Sequence, residues 1–253
     1  MTLLTDPPVG RHFAEIHRDG DALVESIYAF LEAGLRSGSS ALVITAPARI
    51  EQLFERLAVG NLHPHSLSNS GQLAVLAADQ LVAALTADGP PEWAEFRAVI
   101  APVLERLQPF GRGVRIYSDL ANPLWDAGQT DAAIRIEDFW NVLAGAYPFS
   151  LYCGYCMDTQ CERAYAAPLE ELGRTHSDIL GSPEDDRFGE ALDRASREIF
   201  GIALTQMAGI AHQKGMRKFP SGQRTMLWAT RNLPMSTAQL ACKARLYLNK
   251  HAS

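Results

Sequence analysis

Apolar positions along the first 180 residues follow two alternating rhythms, short β-type runs and longer stretches in which they recur every three or four residues. Arg11–His17 predicts a strand carrying Phe13 and Ile16 among polar residues. Asp21–Leu35 predicts a helix with Ala22, Leu23, Ile27, Phe30, Leu31 and Leu35 on one face, punctuated by Gly34 and Gly38. Ala41–Thr45 (ALVIT) is a continuous apolar run, the pattern of a strand covered on both faces. Ala48–Ala58 then puts Ile50, Leu53, Phe54 and Leu57 on one helical stripe. The alternation continues with a strand at Gln72–Ala77 and helices at Asp79–Thr86 and Pro91–Leu107. A strand at Gly113–Ser118, a helix at Thr130–Ala146 and a strand at Phe149–Gly154 follow. His63 and His65, in NLHPHS, read as part of a solvated turn.

Strands separated by helices of this length predict βαβ units: an α/β fold with a mainly parallel sheet flanked by helices. Ligands of such sheets sit outside the carboxyl ends of the strands. That rule selects His17, Asp19 and Asp21 after the first strand, Thr45 and Arg49 after the second, then Asp79, Asp119 and the stretch Cys153–Cys156. Asp21 has a competing role as the cap of the helix that it begins. From Ser182 the pattern turns wholly helical, with helices predicted at Glu190–Gln213, Ser221–Arg231 and Ser236–Asn249. The expected organisation is therefore an α/β domain over residues 1–181 and a C-terminal helical segment over 182–253.

Charge sharpens that division. Residues 187–253 carry net +8 and the preceding residues net −14, together the −6 of the whole 253-residue chain. Such asymmetry predicts a basic surface that docks internally, dimerises or meets a signalling partner. Nucleic acid is the other partner that clustered Lys and Arg favour. Met235–Asn249 gives one amphipathic helix, however, without the preceding helix that a helix-turn-helix reader requires. No apolar run approaches membrane-spanning length, and the opening MTLLTDPPVGRH lacks the basic and apolar regions of a signal peptide. With four cysteines and no disulfide framework, the expected compartment is the cytoplasm.

Four blocks carry a family likeness: RDGDALVESIYAFLEAGLRSGSSALVI, DGPPEWAEFRAVI, VRIYSDLANPLWDAGQTDAAIRIEDFWNVLA and YPFSLYCGY. In this order and spacing, with the elements LW-x-x-G, A-x-R-x-E-x-x-W-N and F-S-L-x-C-x-Y, the chain resembles the MEDS domain over about residues 11–156. MEDS is the sensory domain described in a dichloromethane-responsive regulator and in methanogen proteins. Where the family often reads F-G-E-M, this chain has Tyr117-Ser118-Asp119-Leu120, keeping the acidic type among different neighbours. The resemblance implies a relative of the RecA/KaiC fold that binds small molecules for signal transduction or transcription regulation. It also implies a ligand-pocket wall from Trp125, Glu137, Trp140, Asn141 and Tyr155.

The residues themselves exclude the usual phosphate-binding loop. No Gly-x4-Gly-Lys-Ser/Thr run exists, and the first strand leads into His17-Arg18-Asp19-Gly20-Asp21, with carboxylates where phosphate requires positive charge. Neither a nucleophile elbow nor a His-Glu-x2-His motif appears, so a sensor is favoured over an enzyme, with no cofactor specified. Core packing competes with ligand contact for both tryptophans. Glu137 needs a partner if buried, and Arg115 on the fourth strand is a candidate. Cys153, Cys156 and Cys161 form C-x2-C-x4-C, which with His176 would supply a metal's ligands or a thiol redox switch. Structural or incidental thiols are the commoner reading of the same cysteines. A ligand-free interaction module is the third alternative.

Overall fold

The computed structural model describes residues 3–18, 20–107, 112–165, 168–210 and 216–250. Its strands are β1 (His12–His17), β2 (Ser40–Thr45), β3 (Leu73–Ala77), β4 (Val114–Ser118), β5 (Phe149–Cys156) and β6 (Asp178–Leu180). They form one six-stranded parallel sheet in the order β3-β2-β4-β5-β1-β6, the α/β architecture that the alternating pattern predicts. Helices α1 (Gly20–Arg36), α2 (Pro47–Val59), α3 (Pro64–Asn69), α4 (Ala78–Leu85), α5 (Trp93–Leu107), α6 (Asn122–Asp126) and α7 (Thr130–Ala144) connect the first five strands. The short helix α8 (Pro168–Thr175) precedes β6, and α9 (Pro183–Phe200), α10 (Leu204–Ile210), α11 (Ser221–Asn232) and α12 (Thr237–Lys250) follow it.

Position in the sheet explains composition. β2 is wholly buried, and its Ala41–Thr45 pairs with Leu73–Ala77 of β3 while Ser40–Ile44 pairs with Val114–Ser118 of β4. β4 in turn pairs Val114–Ser118 with Phe149–Cys153 of β5. The chain leaves β2 for β3 on one side and β4 for β5 on the other, which makes the gap between β2 and β4 a topological switch point.

Cα packing divides the chain into two compact units, residues 1–13 with 19–155 and residues 14–18 with 156–253. In the first unit, one face of the sheet stacks Phe13 on Tyr152 at 5.2 Å between centroids, with Phe30 of α1 edge-on to both. The other face packs Trp140 edge-on against Phe96, 4.9 Å apart, and against Phe149. Arg115 does not reach Glu137. Its guanidinium donates to the carbonyls of Phe30, Leu4 and Thr5 at 2.7–3.2 Å. Strand alternation is the reason, because Arg115 shares a face with Tyr117 and Ser150 while α7 covers the opposite one. Gly34 is required there, since a Cβ would come within 2.3 Å of the Arg115 side chain.

In the second unit, α9 opens with a capping box. Ser182 Oγ accepts from Asp185 N and Asp185 Oδ2 accepts from Ser182 N at 2.8 Å, with Pro183 at the first helical position. The helix then ends at Phe200, earlier than its apolar periodicity predicts, because Gly201 adopts a left-handed φ of 77° and closes the last turn. Asp193 holds the start of α10 by accepting from the Thr205 backbone N–H and hydroxyl. The part of the predicted Glu190–Gln213 helix beyond Ile210 lies outside the described residues. α9 and α11 approach closely at Gly189 and Gly222, where a Cβ on Gly222 would lie 3.0 Å from the Asp185 carbonyl oxygen. Among the described residues, no helix is long and apolar enough to cross a membrane.

Candidate functional site

Thr45 ends β2, Arg49 lies in the first turn of α2 and Asp119 follows β4, so three strand-end residues converge on the switch point. The Thr45 hydroxyl donates to Asp119 Oδ2 at 2.6 Å, and Arg49 pairs with the same oxygen. The Asp119 backbone N–H donates to the Ile44 carbonyl at 3.0 Å, fixing the turn. Burial raises the Asp119 carboxyl above the ordinary aspartate range, outweighing the Thr45 and Arg49 contacts that pull it down. The three residues form a satisfied, part-buried knot.

A second polar cluster lies between the sheet and α7. His12 Nε2 is 3.2 Å from Glu137 Oε2 and 3.3 Å from Cys153 Sγ, and the thiol is 3.6 Å from the same carboxylate oxygen. The other Glu137 oxygen accepts from the Tyr155 hydroxyl at 2.5 Å, and His12 Nδ1 meets Asn141 Oδ1 at 3.0 Å. His12, Glu137, Cys153 and Tyr155 are all at least nine-tenths buried. Burial pushes the Cys153 thiol and the Tyr155 hydroxyl well above their ordinary values, and the Glu137 carboxylate adds to both shifts. Glu137 and Asn141 meet this cluster because i, i+4 spacing puts them on one face of α7. Trp125 packs edge-on to Tyr155 with centroids 6.2 Å apart, whereas Trp140 is fully enclosed by aromatic rings. His12 is the residue that sequence reasoning missed. It opens a strand whose neighbours are known only from the sheet order, and no motif or spacing in the sequence marks it.

Of the remaining predicted residues, His17, Cys156, Cys161 and His176 belong to the second unit. His17 is buried with its Nε2 3.3 Å from Glu15 Oε2, and its carbonyl accepts from the Met157 N–H. Asp19 lies outside the described residues, as does the side chain of Asp21, whose backbone is in the first turn of α1. Cys153 is buried, Cys156 exposed and Cys161 half-buried, and all are free thiols. Cys153 and Cys156, three positions apart on β5, point to opposite sides of the strand. His176 is buried after α8, its Nδ1 2.9 Å from both the Leu172 carbonyl and the Thr175 hydroxyl.

The same unit contains a cavity of about 600 Å³ beside the carboxyl ends of β1 and β5. Arg18, Asp158 and Gln160 come from the strand ends, Glu184, Arg187, Glu190 and Arg194 from α9, and Arg245 and Tyr247 from α12. Asp158 stands 3.5 Å from Arg18 Nε and 3.8 Å from Arg245 Nη2, and Arg245 Nε donates to the Gln160 carbonyl at 2.8 Å. The Arg194 guanidinium lies over the Tyr247 ring, 4.1 Å from its centre. Four arginines against three carboxylates leave the lining cationic by one charge, suited to a polar ligand carrying negative charge.

No curated protein matches the chain. The family described as "MEDS: MEthanogen/methylotroph, DcmR Sensory domain" matches residues 11–177. That span contains every strand-end residue and the buried cluster described above, and the chain belongs to the MEDS sensory-domain family.

Proposed function

We propose that this protein is a small-molecule sensor in a signal-transduction or transcription-regulatory pathway, and that its ligand binds at the carboxyl ends of the strands. What carries the reading is the cavity at the ends of β1 and β5, because α9 and α12 form its other walls. A bound molecule would touch the segments that follow β1 and β5 together with the basic helices of residues 182–253. Occupancy would then change how those helices dock or pair, and they would serve as the output element. Membership of a sensory-domain family supports the role, and the cationic lining favours a small anionic or zwitterionic ligand. The absence of a phosphate-binding loop leaves binding, without nucleotide hydrolysis, as the event that is sensed.

Thermal-shift measurements on the full chain with inorganic phosphate, citrate, ATP and a metabolite library test this reading. A ligand at one hundred times its Kd stabilises the fold by about 2.7 kcal/mol. The shift should disappear in Arg187→Ala, whose exposed side chain makes only a 3.7 Å ion pair with Glu184. Hydrogen exchange in α9 and α12 should slow in the presence of the same compound. A library without a single stabilising compound, or a shift that Arg187→Ala leaves intact, would overturn the proposed site.

A further inference from the structure

We propose that His12 Nε2, Glu137 Oε2 and Cys153 Sγ together bind a divalent, zinc-class cation, holding it from β1, α7 and β5 at once. The site is separate from the ligand cavity, and the inference does not rest on the sensing proposal.

The first support is the geometry of the triangle. A tetrahedral zinc ion with Zn–N and Zn–O near 2.0–2.1 Å and Zn–S near 2.3 Å spaces its ligand atoms about 3.4 Å apart for N···O and about 3.6 Å for N···S and O···S. The observed edges are 3.2 Å for N···O, 3.3 Å for N···S and 3.6 Å for O···S. The three groups therefore stand as one face of a tetrahedral coordination shell. They also belong to the one cluster of metal-type ligands among the described residues.

Binding is coupled to proton release: the Cys153 thiol loses its proton to solvent as the thiolate takes up the cation.

The outer contacts are the second support. Metal-bound histidines usually donate their other N–H to an oxygen, and metal-bound carboxylates are themselves hydrogen-bonded. Asn141 provides the first of these contacts and the Tyr155 hydroxyl, on the other Glu137 oxygen, the second. Mixed imidazole, carboxylate and thiolate ligation selects zinc over magnesium or calcium, which prefer oxygen alone.

Elemental analysis of the full chain, purified from zinc-supplemented cells, tests the site. The expected content is about one zinc per chain, retained in Cys156→Ser and Cys161→Ser and lost in Cys153→Ser. Replacement by cobalt should give the visible bands of a tetrahedral ion and a thiolate charge-transfer band that Cys153→Ser abolishes. Asn141→Ala and Tyr155→Phe keep every ligand and should weaken zinc binding about 10–100-fold, without change in circular dichroism. These two variants also decide the matter if Cys153→Ser does not fold. A metal-free wild-type chain with no cobalt spectrum would refute the proposal. So would metal that survives Cys153→Ser but is lost with Cys156 or Cys161, or zinc affinity unmoved in both Asn141→Ala and Tyr155→Phe.

Discussion

The two units treat polar side chains in opposite ways. In the first, His12, Glu137, Cys153 and Asp119 are drawn into the interior and fixed by short contacts. In the second, Arg18, Asp158, Arg187, Glu184 and Arg245 ring an open cavity with long, solvent-screened pairs. Desolvated charges are expensive and keep one arrangement, whereas exposed charges exchange partners at little cost. The interior clusters thus suit positioning, and the groove suits the reversible binding proposed above.

Removing a buried partner is the severest test of that contrast. Glu137→Ala takes an acceptor from the Tyr155 hydroxyl and a partner from His12 and leaves a cavity, and urea denaturation should show a loss of about 3–5 kcal/mol. Asp119→Asn comes next, at about 1–3 kcal/mol, because Arg49 loses its charged acceptor. It should also alter the pH profile. The folded-state pKa of Asp119 is raised, so the native state holds the proton more tightly than the unfolded chain does. Stability from this group is then present below the ordinary aspartate pKa and declines as pH rises through the raised value. Denaturation midpoints measured across that window should fall with pH in the wild type and fall less steeply in Asp119→Asn. Ser182→Ala, which removes half of the α9 capping box, should cost about 1 kcal/mol in the same assay. Glu184→Ala, at the rim of the groove, should change stability by less than about 0.5 kcal/mol. A large loss there, or a small one for Glu137→Ala, would erase the distinction between the units.

Long elements were legible in the sequence because their apolar stripes repeat over several turns, as in α1, α5 and α7. Helices α3, α6 and α8 and strand β6, three to eight residues each, are too short for a period to register. The Thr45–Arg49–Asp119 knot was within reach, since each residue follows a strand and the strand ends converge. The buried cluster was only partly so. Glu137, Asn141, Cys153 and Tyr155 stood out by motif, but their meeting with His12 depends on β1 lying beside β5, and nothing local encodes that adjacency. The spacing of Cys153 and Cys156 invited a shared role that strand alternation opposes, and Arg115 misled for the same reason.

Asp185 has a consequence beyond capping. One of its oxygens closes the first turn of α9 and the other accepts from buried Gln223 of α11, so the helix is clasped at one end. Its 18 residues make a rod about 27 Å long. Glu184, Arg187, Glu190 and Arg194 lie along the same rod, on the wall of the groove. The same carboxylate therefore ties the start of this groove wall to α11, so the wall takes its position from the packing of those two helices.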